Sequence, residues 1–155
     1  VHIVLVEPDI PGNTGNVARS CVATGAELHL VGRLGFSIDD AHLKRAGLDY
    51  WPKLKMHRHA TWESFLDSLP ENPPLFFFSK RATALYWDAP FVPNSYLVFG
   101  CETQGLPPTL HERYPDRFYA IPMAPDSVRS LNLSTSAGIV LYEALRQTRA
   151  VTSHQ

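Results

Sequence analysis

Short runs of β-branched and aromatic residues recur along the chain, each ending at a proline, glycine or polar turn and most followed by a stretch with helical spacing. This alternation constrains the fold more than any other feature. His2 to Glu7 is a strand that stops at Pro8, and a loop to Gly12 leads into a helix capped by Asn13, which carries Val17, Cys21 and Val22 and leaves through Gly25. Further strands are expected at Leu28–Val31, Leu75–Ser79, Tyr96–Gly100 and Phe118–Ile121. Helices are expected from Asp39 to Ala46 before Gly47, from Thr61 to Leu69 with Trp62, Phe65, Leu66 and Leu69 on one face, from Pro108 to Tyr114, and from Leu133 to Thr148. The order implies an α/β fold, a mostly parallel sheet flanked by helices on both faces. In such sheets ligands gather beyond the carboxyl ends of the strands, here the loops after Val6, Ser79, Phe99 and Ile121.

The 155 residues suit one domain, expected over residues 1–150, with a disordered tail at 151–155. A hydrophobic share of 45% against 19% charged residues excludes general disorder. The longest apolar runs, such as Ile3–Val6 and Leu75–Phe78, fall far short of the roughly 20 residues a membrane helix needs. No secretory signal is visible, so a cytoplasmic protein without a membrane partner is expected. Cys21 and Cys101 lie in apolar settings and read as reduced core thiols. His57 and His59 would share a face of a strand, but no third ligand is placed, so no metal is expected and the stretch Lys53–His59 reads as a solvated basic segment. A formal net charge of −1 means that nucleic acid could be held only by local basic patches, such as Lys53, Lys55 and Arg58, assembled across an oligomer.

Three segments carry candidate chemistry. Asn13-Thr-Gly-Asn-Val-Ala-Arg19 places a glycine turn at a helix entry, where free N–H groups can hold an anion; an ordinary cap with a surface arginine is the alternative. It is not a dinucleotide fingerprint, because Gly12 and Gly15 lack the required spacing. Gly100-Cys-Glu102-Thr-Gln-Gly105-Leu106-Pro sets two glycines around a carboxylate that could accept hydrogen bonds from a ligand or from loop amides. Ile121-Pro-Met123 followed by Ser130-Leu131-Asn132-Leu-Ser134 has more short hydrogen-bonding side chains than one helix cap uses, which suits a loop around a small polar ligand.

Taken in order, these segments resemble the SPOUT class of RNA methyltransferases over essentially the whole chain, and most closely the small TrmL-type enzymes that methylate the ribose of the tRNA wobble nucleotide, position 34, as cytidine or uridine. Glu7-Pro-Asp-Ile-Pro, Arg45-Ala-Gly-Leu-Asp-Tyr50 and Pro125-Asp-Ser127 support the narrower likeness. A homodimer is expected because the final helix carries more apolar surface than one face needs, with Ile139, Val140, Leu141 and Leu145 beside small Ala137 and Gly138. The resemblance implies a deep C-terminal trefoil knot, S-adenosylmethionine as cofactor and the tRNA anticodon stem-loop as partner. It implies a cofactor pocket at Phe78 and the Ser79-Lys80 turn, at Gly100, Glu102, Gly105 and Leu106, at Ile121 and Met123, and at Ser130 and Leu131. Arg19 is the implied catalytic residue, supported by Asn13, Glu102 and Asn132, with Tyr142 contacting the nucleotide or the other subunit. A non-catalytic RNA-binding or assembly protein of the same fold, and a nucleotide-binding protein of unrelated chemistry, are the competing readings.

Overall fold

The computed structural model describes residues 1–39 and 51–149. Apart from Asp39, the helix expected from Asp39 to Ala46 lies outside the described residues, as do the Arg45–Tyr50 stretch and the tail. Among those described, the strands are β1 (His2–Val6), β2 (Glu27–Val31), β3 (Met56–His59), β4 (Leu75–Phe78), β5 (Tyr96–Phe99) and β6 (Phe118–Tyr119). The helices are α1 (Pro11–Thr24), α2 (Trp62–Asp67), α3 (Pro108–Arg113) and α4 (Leu133–Thr148). All pairings are parallel and the order is β3-β2-β1-β5-β4-β6. Chain order therefore reverses between β1 and β5, and the loops leaving these two strands open a crevice at the carboxyl edge.

The apolar runs are continuous because the central strands are buried on both faces. Ile3, Leu5, Leu28, Leu30, Leu97 and Phe99 face α1 and α4, meeting Val17, Cys21, Val140 and Leu141. Val4, Val6, Val31, Phe77 and Val98 face the other way, onto Phe65 of α2 and Leu110 of α3. Ala120 continues past β6 to bridge Leu85, after which the chain returns so that α4 packs on α1 and β5. These long-range contacts agree with the knotted path that the resemblance implies.

Four sequence expectations are corrected. α1 begins at Pro11, with Ile10 as its N-cap and no capping side chain, so Asn13 lies inside the first turn and is free for tertiary bonds. Proline at the first helical position has no N–H to satisfy, which permits the earlier start. β6 stops at Tyr119, where Pro122 shortly ahead removes a ladder donor. Cys101 is only half-buried, in the loop after β5, where its Sγ accepts from the Gln104 amide at 3.3 Å, whereas Cys21 is a core thiol whose pKa burial pushes up to about 12.

The stretch Lys53–His59 is not simply a solvated segment, because Met56–His59 is an edge strand of the sheet. His29 of β2, 6% exposed, lies between it and β1. Its Nε2 is 3.0 Å from His2 Nδ1 and its Nδ1 is 3.0 Å from His59 Nε2, so the three rings form a hydrogen-bonded row across β1, β2 and β3. His57 stacks on His29 at 4.7 Å and bonds to Glu27 at 2.7 Å, while Phe65 meets His29 edge-on at 5.4 Å. Burial first, and then His2, His57 and His59, hold the His29 pKa down at about 3; burial likewise lowers His2 and His59.

A histidine with a lowered folded pKa stays neutral in the fold, while the unfolded chain takes up a proton below about pH 6.5. The row's contribution is therefore present above that pH and lost as pH falls toward the folded values. Melting temperature is expected to be flat above pH 7 and to decline steadily from pH 6.5 to pH 4. His29→Gln should melt lower at pH 8 yet show a shallower acid decline, and an equally steep decline in that variant would rule out His29 as a source.

Candidate functional site

The crevice between β1 and β5 is closed by one carboxylate. Glu102, three residues beyond β5, accepts from the Asp9 amide at 2.8 Å through Oε1, and from the Ile10 amide at 3.0 Å and Asn13 Nδ2 at 3.2 Å through Oε2. The anion at the entry of α1 is thus supplied by the chain itself, and both Glu102 oxygens serve the neighbouring loop. Asn13 then accepts at Oδ1 from Asn132 Nδ2, at 3.0 Å. Asn132 Oδ1 in turn caps α4, accepting from the Ser134 and Thr135 amides at 2.9 and 3.3 Å. A chain of three side chains thereby joins the loop after β1, the loop after β5 and the segment before α4. Thr103 adds a bond to Asp9 Oδ2 at 2.8 Å.

The loop after β5 folds back on itself. Gly105 has φ +72° and donates to the Cys101 carbonyl at 3.0 Å, a backbone conformation suited to glycine. A Cβ on Gly100 would collide with the Gly105 carbonyl carbon and the Leu106 amide. Gly100 is therefore required by the loop's own return as well as by any ligand beside it.

Beyond these loops lies a cavity of about 410 Å³. All eleven residues expected at a cofactor pocket line it: Phe78, Ser79, Lys80, Gly100, Glu102, Gly105, Leu106, Ile121, Met123, Ser130 and Leu131. Asn13 and Asn132 also reach it. Arg19 and Tyr142 are not among its walls: Arg19 is exposed on α1, about 9 Å along the helix axis from Asn13, and Tyr142 is 56% exposed on α4. Sequence reasoning did not single out Ile10, Arg81, Cys101 or His111, which line the cavity as well. Arg81 directly follows the expected Ser79-Lys80 turn, and Ile10 immediately precedes the proline that opens α1, so their positions were open to inference. His111 had no such signal, because it enters only through the packing of α3, where it stacks on Phe118 at 4.2 Å.

The volume falls within the range of small-molecule sites, and the lining suits S-adenosylmethionine. Phe78, Leu106, Ile121 and Met123 offer apolar walls for an adenine, and the glycine-lined return exposes backbone groups for its polar edges. Among the described residues no group of three or more His, Cys, Asp or Glu side chains is arranged to hold a metal.

Glu102→Gln tests the loop clamp directly. The amide nitrogen must face a donor in place of one carboxylate oxygen, so at least one bond becomes a donor–donor clash and the rest lose their charge assistance, which costs about 1.5–3 kcal/mol. Faster hydrogen exchange at the Asp9 and Ile10 amides and a melting temperature lower by several degrees are expected. Unchanged exchange at both amides would show that the carboxylate does not hold this loop.

The SpoU rRNA Methylase family model matches residues 1–142. A protein of Polaromonas sp. (strain JS666) described as a tRNA (cytidine(34)-2′-O)-methyltransferase is 46% identical over 99% of this chain and 94% of its own length. A solved structure described as giving insight into the 2-OH methylation of C/U34 on tRNA superposes with a TM-score of 0.89 at 46% identity, covering 94% of each chain. The SpoU methyltransferase AviRb from Streptomyces viridochromogenes, solved with AdoMet, has a TM-score of 0.81 at 27% identity over 95% of this chain and 60% of that one. With the family model spanning nearly all of the described fold and the likeness extending through the loops that form the cavity, the chain belongs to the SpoU rRNA Methylase family.

Proposed function

We propose that residues 1–150 form one methyltransferase unit that transfers the methyl group of S-adenosylmethionine to the ribose 2′-hydroxyl of the tRNA wobble nucleotide, cytidine or uridine at position 34. The observation that carries this reading is near-full-length similarity to a tRNA (cytidine(34)-2′-O)-methyltransferase, combined with a cavity whose walls suit the methyl donor. When bound, the sulfonium supplies a methyl group already activated for transfer. The protein's task is then alignment and the exclusion of water. Phe78, Leu106, Ile121 and Met123 would give the donor apolar walls, while Gly100, Gly105, Ser130 and Leu131, which line the same cavity, would hold it chiefly through backbone groups.

Glu102, Asn13 and Asn132 act as positioning residues, holding three loops in register so that donor and acceptor stay aligned. Arg19 holds a phosphate of the target nucleotide: a guanidinium remains protonated at working pH and offers a planar fork of donors, which suits anchoring better than proton removal. No described helix is long and apolar enough to cross a membrane.

The working form is a homodimer. Most of the apolar residues of α4 are consumed inside the subunit, since Ala137, Val140, Leu141 and Leu145 are buried against the sheet and α1. What is left for a partner is Gly138, where an added Cβ meets open space, half-buried Ile139, and Tyr142. Tyr142→Arg is expected to shift the mass measured by light scattering from dimer toward monomer, and a monomeric, fully active wild type would refute the assignment.

Methyl transfer to an unmodified tRNA transcript, with the modified ribose mapped, tests the reaction itself. Product at position 34 is expected, and its absence with every tRNA tried would defeat the proposal. Arg19→Ala should lose roughly tenfold or more in rate, the equivalent of about 1.5 kcal/mol, with cofactor affinity and melting temperature kept. Substantial rescue by Arg19→Lys would favour simple charge attraction over an oriented fork. Gly100→Ala should weaken S-adenosylmethionine binding by at least tenfold in calorimetry, and unchanged affinity would place the cofactor elsewhere.

A further inference from the structure

We propose that the edge strand β3 and the turn before it form a second RNA contact, separate from the cavity, in which Lys53, Lys55 and Arg58 bind phosphates of the tRNA backbone away from the target nucleotide. The inference rests on RNA being the substrate and adds where its backbone is held. Lys53, Lys55 and Arg58 are exposed. Among the described residues none of them enters a side-chain hydrogen bond or ion pair, and the nearby carboxylate of Glu27 is engaged by His57 at 2.7 Å. Three exposed cations within six positions, of which Lys55 alone also acts on the Glu27 carboxylate, are unexpected in a chain of net charge −1.

Placement supports the same partner. The turn Trp51–Lys53 touches α1, the helix that carries Arg19, and Arg58 lies on the face of β3 shared with Met56, which packs into the core beneath α1. Lys55 and Arg58 are three positions apart on extended chain, about 10 Å, and so project to opposite faces of the edge, Arg58 with Met56 and Lys55 with His57. That span exceeds a single phosphate, so the arrangement suits a polyanion in preference to a free anion. The edge is also held firmly, because β3 is tied to β2 by its ladder and to the sheet interior through His59 Nε2 and His29 Nδ1 at 3.0 Å. Arg58 on this fixed strand loses less freedom on binding than a cation on a loose loop, and Lys53 and Lys55 lie directly beside it.

Lysines also guard sheet edges against pairing with other chains, and the experiment separates that role from RNA binding. Binding of an unmodified tRNA transcript is measured over a range of salt concentrations for the wild type, for Lys53→Gln/Lys55→Gln/Arg58→Gln, and for Arg117→Gln near the opposite edge of the sheet. Each phosphate contact contributes about 0.9 to the slope of log affinity against log salt. The triple variant should therefore lower the slope by about two to three and weaken binding by roughly tenfold or more at moderate salt. S-adenosylmethionine affinity and melting temperature should match the wild type, and Arg117→Gln should leave the slope close to its original value. An unchanged slope and affinity in the triple variant, or an equal loss in Arg117→Gln, would overturn the proposal. If the wild type binds tRNA with this dependence on β3 but transfers no methyl group, the proposed reaction fails while the edge contact stands.

Discussion

The carboxylate of Glu102 joins the two loops that the sheet topology drives apart. β1 and β5 are neighbours, but the chain leaves them for opposite halves of the sheet, so their carboxyl-end loops would otherwise enclose an open crevice. By accepting from two amides of the loop after β1 and from Asn13, Glu102 turns that crevice into a defined wall. Asn13 passes the connection on to Asn132, and so to the start of α4. The cavity depends on this sequence of bonds: its walls come from segments about a hundred residues apart, and each is located by a side chain belonging to another.

The two halves of the sheet solve different packing problems. Around β1, β4 and β5 the interior is almost entirely aliphatic and aromatic, with Phe78 stacked on Phe99 at 5.0 Å and Phe77 on Phe118 at 5.0 Å. Toward β3 the same layer becomes imidazole. His29 can be buried there because both of its ring nitrogens meet another histidine, and because its neutral form avoids the cost of burying a charge. The imidazole layer lets a basic edge strand join an apolar sheet: interior-facing positions are satisfied ring to ring, and the cations project outward. The sheet thus presents a cavity of mixed polar and apolar lining at its switch point and exposed cations along one edge, surfaces suited to a small polar cofactor and to a large polyanion respectively.

Much of this was legible in the chain itself. Strands rich in β-branched and aromatic residues, bounded by proline and glycine, specified a parallel sheet because only strands buried on both faces can remain apolar throughout. Gly25 marked the end of α1, where the fold gives it a left-handed φ of +79°, and the polar run Ser130 to Ser134 marked the entry of α4 without showing that Asn132 is the cap. The cavity residues could be read as segments because they fall in loops at strand ends, where the fold class places ligands.

Partners in space were not legible. Asn13 reads as a helix cap, yet in the fold it belongs to Glu102 and Asn132, because Pro11 starts the helix earlier and frees its amide. Met56–His59 was hidden because its alternating polar residues resemble a solvated segment, and only the register opposite Leu28–Val31 reveals which histidines turn inward. The sequence leaves Gly100 open to a special backbone conformation or to a close ligand approach, and the fold puts the loop's own Gly105–Leu106 backbone against it. Local propensity, the order of elements and the chemistry of the loops were determined by the sequence alone, since each depends on residues within a few positions of one another. Which carboxylate meets which amide, which ring meets which ring, and which cations remain unpaired were decided by the tertiary structure, because these depend on approaches between residues tens of positions apart that only the assembled sheet brings within hydrogen-bonding distance.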